Sequence, residues 1–145
     1  MELSKITKGM RKALPLKTCG AVLVAAGSAS RMGGIDKVMA PLGGTPMIVR
    51  TARAFQDCEA IKEIVIVTRQ DLILPITELC QGMDKVKAVV VGGGSRQESV
   101  WLGLNALSKE VELAAVHDGA RPLVSGALID RVVRAAHSYG AAAPA

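Results

Sequence analysis

The 145-residue sequence predicts an α/β fold with an open, doubly wound, mostly parallel sheet. Three observations carry this. Short β-branched runs alternate with longer segments of helical period. The runs are almost wholly apolar, as strands covered by helices on both faces are. The composition, 50% hydrophobic and 21% charged, is that of one globular domain.

The elements follow in the order βαβαβαβαβ. The first strand is CGAVLVAA, 19–26. In the helix after it, Thr45 would cap, Pro46 would take the first helical position, and Ile48, Ala52 and Phe55 share a face. EIVIVT, 63–68, is the second strand, followed by a weaker helical segment, 71–80, that contains Pro75. VKAVVV, 86–91, precedes a helix over 97–107 with Ser95 as its N-cap and Val100, Leu104 and Leu107 inward. ELAAVH, 112–117, precedes a helix over 125–138 with Leu128, Val132 and Ala135 inward and an Asp130/Arg134 pair. A fifth strand is expected to begin at Gly140 and to be cut off. A domain over 19–145 behind a tail of 1–18 is therefore expected, incomplete at its C-terminus if the fifth strand is cut off.

That tail accounts for the charge. The chain carries +5 at pH 7, but Lys5, Lys8, Arg11, Lys12 and Lys17 against Glu2 give +4 within the first 18 residues. The basicity is thus local and gives no nucleic-acid surface. Phe55, Trp101 and Tyr139 are the only aromatic residues, which disfavours base-stacking platforms. The sequence has no secretory h-region and no apolar run long enough to span a membrane, and a cytoplasmic protein is expected. Cys19, Cys58 and Cys80 are widely spaced without a CxxC motif and read as reduced core thiols.

In a doubly wound sheet, ligands bind at the carboxyl ends of the strands. Three loops there stand out. In AAGSASRMGGIDK, 25–37, the small residues Gly27, Ala29, Gly33 and Gly34 let main-chain N–H groups approach an anion, and Arg31 and Lys37 bring two cations. This is a polyphosphate cradle, yet Val38 after the lysine excludes a P-loop and Ala29 breaks a dinucleotide GxGxxG fingerprint. GGGSRQESV, 92–100, and VHDGARP, 116–122, are the other two. His117 in the latter reads as a packed residue rather than a ligand.

Together the three strings resemble the 2-C-methyl-D-erythritol 4-phosphate cytidylyltransferase family of sugar-phosphate nucleotidyltransferases. The resemblance covers residues 19–145 and implies a Rossmann-like fold of the nucleotidyltransferase type, C-terminally truncated. It implies an enzyme of isoprenoid precursor synthesis that moves CMP from CTP to 2-C-methyl-D-erythritol 4-phosphate and releases pyrophosphate, with Mg²⁺ as cofactor. By the same resemblance Arg31 and Lys37 are the catalytic cations, and Ala25, Ala26, Gly27, Ser28 and Ala29 hold the nucleotide. Gly92, Gly93, Gly94 and Ser99 read the base and ribose, and Asp118 and Arg121 contact substrate or metal, Asp118 being the metal candidate. Two departures stand out: Asp36 precedes Lys37 where the family commonly has Pro, and Gly94 stands where it often has Asp. Full-length members are homodimers and run on for roughly eighty residues, which carry the dimerisation arm and the acceptor-binding basic residues. A ribitol 5-phosphate cytidylyltransferase, another sugar-phosphate nucleotidyltransferase and a noncatalytic nucleotide-binding module are the competing readings.

Overall fold

β1 (Cys19–Ala25) is buried along its whole length, and the remaining elements are arranged around it. The computed structural model describes residues 15–27 and 36–145. After β1 come a hairpin of β2 (Pro41–Leu42) and β3 (Thr45–Pro46), then α1 (Met47–Gln56) and β4 (Ile61–Thr68). A 3-10 turn (Gln70–Leu72) leads into α2 (Ile73–Leu79), followed by β5 (Val86–Val91), α3 (Arg96–Ala106), β6 (Leu113–Asp118) and α4 (Gly126–Tyr139). The main sheet is parallel, in the order β5-β4-β1-β6.

The period of two along β1 divides the core. Ala21, Leu23 and Ala25 meet Ile48, Ala52 and Phe55 of α1, Ile76 of α2, and Ile129 and Val133 of α4. Val22 and Val24 turn the other way, with Val65 and Val67 of β4, toward Val100, Ala106 and Leu107. Helices therefore cover both faces of the sheet from β5 to β1. β5 and β6 are edge strands; β5 packs Val86 and Val89 against one core and Ala88 and Val90 against the other, whereas Ala114 and Val116 of β6 are exposed, so the expectation of four doubly covered strands fails at β6.

The structure corrects several boundaries. Thr45 and Pro46 do not open α1 as cap and first residue. They form β3, because Gly43 and Gly44, at φ 60° and 80°, make the tight two-residue turn that pairs Leu42 with Thr45. Pro46 is the N-cap, without a side-chain bond. Pro75 causes no break, since α2 starts at Ile73 and the proline falls in the first turn, where N–H groups have no helical partner.

α3 is rotated from its expected face. Ser99 and Gly103 are its buried residues and Leu104 is exposed, because a Cβ at 103 would stand 2.4 Å from Val22 Cγ1 and the glycine lets the helix lie close on the sheet. In α4 the buried pair is Ile129 and Val133, one position from the expected Leu128 and Val132, which are half-buried along a neighbouring groove. The Asp130/Arg134 ion pair is present at 2.7 Å. The strand expected from Gly140 is not formed. Gly140 closes α4 at φ 87°, and 141–145 are irregular, a small-residue run with Pro144 that has little strand propensity.

The three cysteines are free and buried, as expected. Burial pushes the Cys19 thiol up to about 11 and raises that of Cys80 as well. Thiolate, the reactive form, is therefore suppressed. In mildly alkaline buffer the folded chain is expected to react with a disulfide reagent far more slowly than the denatured chain, which should yield all three thiols. Immediate stoichiometric reaction of the folded chain would contradict this packing.

Candidate functional site

Three strand ends converge on one cavity. β1 and β6 are neighbours, and α3 returns from β5 to lie over β4 and β1. The cleft so opened has a volume of about 340 Å³ and is lined by Val24, Ala26, Gly27, Gly93, Gly94, Ser95, Arg96, Ser99 and Asp118. Eight of these residues come from the three loops singled out in the sequence: Ala26 and Gly27 from the first, Gly93, Gly94, Ser95, Arg96 and Ser99 from the second, Asp118 from the third. A larger groove of about 490 Å³ lies between β6, α4 and the C-terminal residues, but it is mainly apolar and none of the predicted site residues lines it.

The glycine loop after β5 is held by its own helix. Gly92 N–H donates to Thr68 O at 2.8 Å, and Gly93 N–H donates to Ser99 Oγ at 3.1 Å. Ser99 Oγ in turn donates to Ser95 O at 3.0 Å, which leaves one acceptor position on a hydroxyl that is otherwise fully engaged. The Ser99 N–H is also committed, to Ser95 O. Ser95 caps α3, as expected, by accepting from Glu98 N–H at 3.1 Å, and Glu98 Oε2 accepts from Gly94 N–H at 2.8 Å. A Cβ at Gly93 would overlap the Glu98 side chain, so this clasp requires glycine there.

The N-terminus of α3 and the Arg96 side chain give the cavity its positive end. Arg96 has no ion pair among the described residues. Within GGGSRQESV its signal is its place as the first residue of a capped helix, which sequence reasoning missed. Thr51 was missed outright. Fully buried on α1, its hydroxyl bonds Met47 O and, at 2.8 Å, Gly119 O, and so fixes the loop after β6.

Asp118 closes β6 rather than following it, and its carboxylate is about half exposed. Oδ1 accepts from Ala120 N–H at 3.0 Å, while Oδ2 lies 3.7 Å from Arg121 Nε. Arg121 itself points largely into solvent, at 77% exposure, and does not line the cavity. His117 is packed as expected, its ring 5.2 Å from that of Phe55 and its Nε2 3.0 Å from Arg121 O.

The other predicted residues are distributed as follows. Ala25 is buried beneath Gly119, and Gly92 lies just behind the cavity wall, where a Cβ would meet Ala26 Cβ at 2.4 Å. Lys37 is exposed in the turn that follows the first loop and does not line the cavity. Ser28, Ala29 and Arg31 lie outside the described residues. No described helix is long and apolar enough to cross a membrane.

The chain resembles known proteins in sequence and in fold. The family model described as 2-C-methyl-D-erythritol 4-phosphate cytidylyltransferase matches residues 19–145. A protein of that name from Clostridium botulinum (strain Loch Maree / Type A3) is 40% identical over 125 residues, 84% of this chain and 55% of the relative. One from Caldanaerobacter subterraneus subsp. tengcongensis is 40% identical over 131 residues, 85% and 56% of the two chains. The chain thus spans about half the length of the curated relatives it matches. Among solved structures, 4-diphosphocytidyl-2C-methyl-D-erythritol synthase from Anaerococcus prevotii superposes with a TM-score of 0.73 at 30% identity, covering 83% of this chain and 51% of that one. A CMP:2-keto-3-deoxy-manno-octonic acid synthetase complexed with CTP, at 14% identity and a TM-score of 0.68 over 86% of this chain and 49% of that one, shares the fold.

Proposed function

Since the chain belongs to the 2-C-methyl-D-erythritol 4-phosphate cytidylyltransferase family, we propose that its cavity holds CTP and that it serves the transfer of CMP to 2-C-methyl-D-erythritol 4-phosphate, with release of pyrophosphate. The observation that carries this reading is the convergence of Ala26, Gly27, Gly93, Gly94, Ser99 and Asp118 on a single cleft. A nucleoside needs a close, mostly backbone-lined wall, and the glycine loop supplies one. The remaining acceptor position of Ser99 Oγ suits an amino group, which cytosine offers at the position where uracil carries a carbonyl. Its role is therefore to organise the loop and accept one hydrogen bond rather than to donate.

The phosphates belong at the positive end. Arg96 and the α3 N-terminus face the cleft, and Arg31 and Lys37 act on the reacting phosphate by family resemblance. Phosphoryl transfer asks little covalent work of a protein, and fixed cations stabilise the charge that grows on the equatorial and leaving oxygens. Arg121, largely exposed, would exchange its weak pairing with Asp118 for the acceptor's phosphate.

Mg²⁺ fits the donor set. The cleft presents one carboxylate, Asp118, with an oxygen not taken by a backbone N–H, and the described residues contain no cluster of three acidic or His/Cys ligands. That suits an ion held by one carboxylate, nucleotide oxygens and water. When bound, Mg²⁺ neutralises part of the phosphate charge. A cytoplasmic location and a homodimeric assembly complete the reading.

Calorimetric titration with CTP, GTP, ATP and NAD in parallel, each with Mg²⁺, tests it. CTP is expected to bind about tenfold or more tightly than the others, the discrimination that one or two unpaired polar groups provide. Equal affinities, or a preference for NAD, would overturn the assignment.

A further inference from the structure

Arg69 is the first residue after β4 and lies outside every motif described above. Its guanidinium grips three partners at once. Nε and Nη2 form a two-point fork to the Asp71 carboxylate, at 3.1 and 3.0 Å. Nη2 also stands 2.6 Å from Asp36 Oδ2, and Nη1 lies 3.5 Å from Gly27 O. Gly27 is the last described residue before 28–35 and Asp36 the first after it, so one side chain touches both ends of the loop that follows β1.

The Asp36 contact is the consequential one. Asp36 Oδ2 is shielded from solvent, and among the described residues the Arg69 cation is its partner and offsets its charge. Asp36 also starts the turn that carries Lys37, its carbonyl accepting from Met39 N–H at 3.1 Å and Ala40 N–H at 2.9 Å. An uncompensated carboxylate here would attract Lys37 and repel a nucleotide's phosphates.

We propose that Arg69 is a positioning residue of the nucleotide site: by clasping Gly27 and Asp36 it fixes the separation of the two loop ends and neutralises Asp36, leaving Lys37 free for the phosphates. This rests on the CTP-binding reading above. It adds a residue from a neighbouring strand and gives a reason for the acid that stands before Lys37.

The test uses Arg69→Met, Asp36→Asn, the double variant and Asp71→Asn, titrated with CTP and with CMP, alongside hydrogen exchange of the unliganded chain. Arg69→Met is expected to weaken CTP about tenfold, in keeping with the loss of a charged contact, and CMP less than about twofold. The Met39 and Ala40 amides should exchange faster. Asp71→Asn, which loosens the fork holding the guanidinium but leaves its charge beside Asp36, should weaken CTP less than Arg69→Met does. Asp36→Asn removes the charge that needs compensating, so the double variant should bind CTP better than Arg69→Met alone. Equal losses for CTP and CMP, unchanged exchange at Met39 and Ala40, or independent effects in the double variant would overturn the proposal. If the unaltered chain binds CTP and Arg69→Met does too, only the clasp fails. If the unaltered chain binds no CTP, the nucleotide reading fails and takes the proposal with it.

Discussion

Gly103→Val is expected to destabilise the chain by about 3 kcal/mol, at the upper end of what overpacking costs. A Cβ at this position would lie 2.4 Å from Val22 Cγ1 and 2.8 Å from Val67 Cγ2. Both valines are completely buried, one on β1 and one on β4, and neither is the free end of a flexible chain. The helix would have to rise from the sheet. A gain of up to about 1 kcal/mol from replacing glycine inside a helix is too small to offset this. Urea denaturation gives the comparison, with Gly126→Ala as control because no atom lies within 4 Å of a Cβ there. An unchanged midpoint for Gly103→Val would mean that α3 does not lie as close to the sheet as described. Since α3 also carries Arg96 and Ser99, the variant should lose nucleotide affinity as well as stability.

The largest effect on binding is expected from Gly92→Val, about a hundredfold loss of CTP affinity, the scale on which misplacement of a site by an ångström acts. A Cβ at 92 would be 2.4 Å from Ala26 Cβ, 2.7 Å from Ser99 Oγ and 3.3 Å from Val67 Cγ1. Two walls of the cleft, at Ala26 and Ser99, would be pushed apart, and the hydrogen bond that Gly93 N–H donates to Ser99 Oγ would break. Calorimetry should show the loss while circular dichroism shows a folded chain. Affinity within a factor of about three of the unaltered chain would separate the nucleotide from this cleft.

Much of this arrangement was legible in the sequence because apolar runs and glycine strings are local signals. The four strands of the main sheet and the helices between them follow from periodicity, and the cap at Ser95 from the residue type before a helical run. The strings around Gly93 and Asp118 are brought together by strand order, which periodicity does not reveal. The misreadings have a common cause in tertiary contact. Leu104 is apolar and in phase, yet Gly103 sits closer to the sheet because it is small, and closeness decides the buried face. Thr45 looked like a cap, but the neighbouring Gly43-Gly44 turn committed it to a hairpin. Arg69 and Thr51 act on loops far away in sequence, so no local pattern marks them.

The central place of β1 also shapes how the chain folds. It is the first of the described strands, yet it pairs with β4 on one side and β6 on the other, and the Thr18 N–H meets the Glu112 carboxylate across a separation of 94 residues. Contacts of such range form only after a large loss of chain freedom, which slows folding. β1 and β4, joined through α1, have the shorter loop to close and are the pair expected to form earlier. Until β6 docks, one edge of an entirely apolar strand stays open, with unpaired backbone groups available to another chain. Dilution and low temperature should therefore improve refolding yield more than final stability, because the vulnerable species is an intermediate and not the finished sheet.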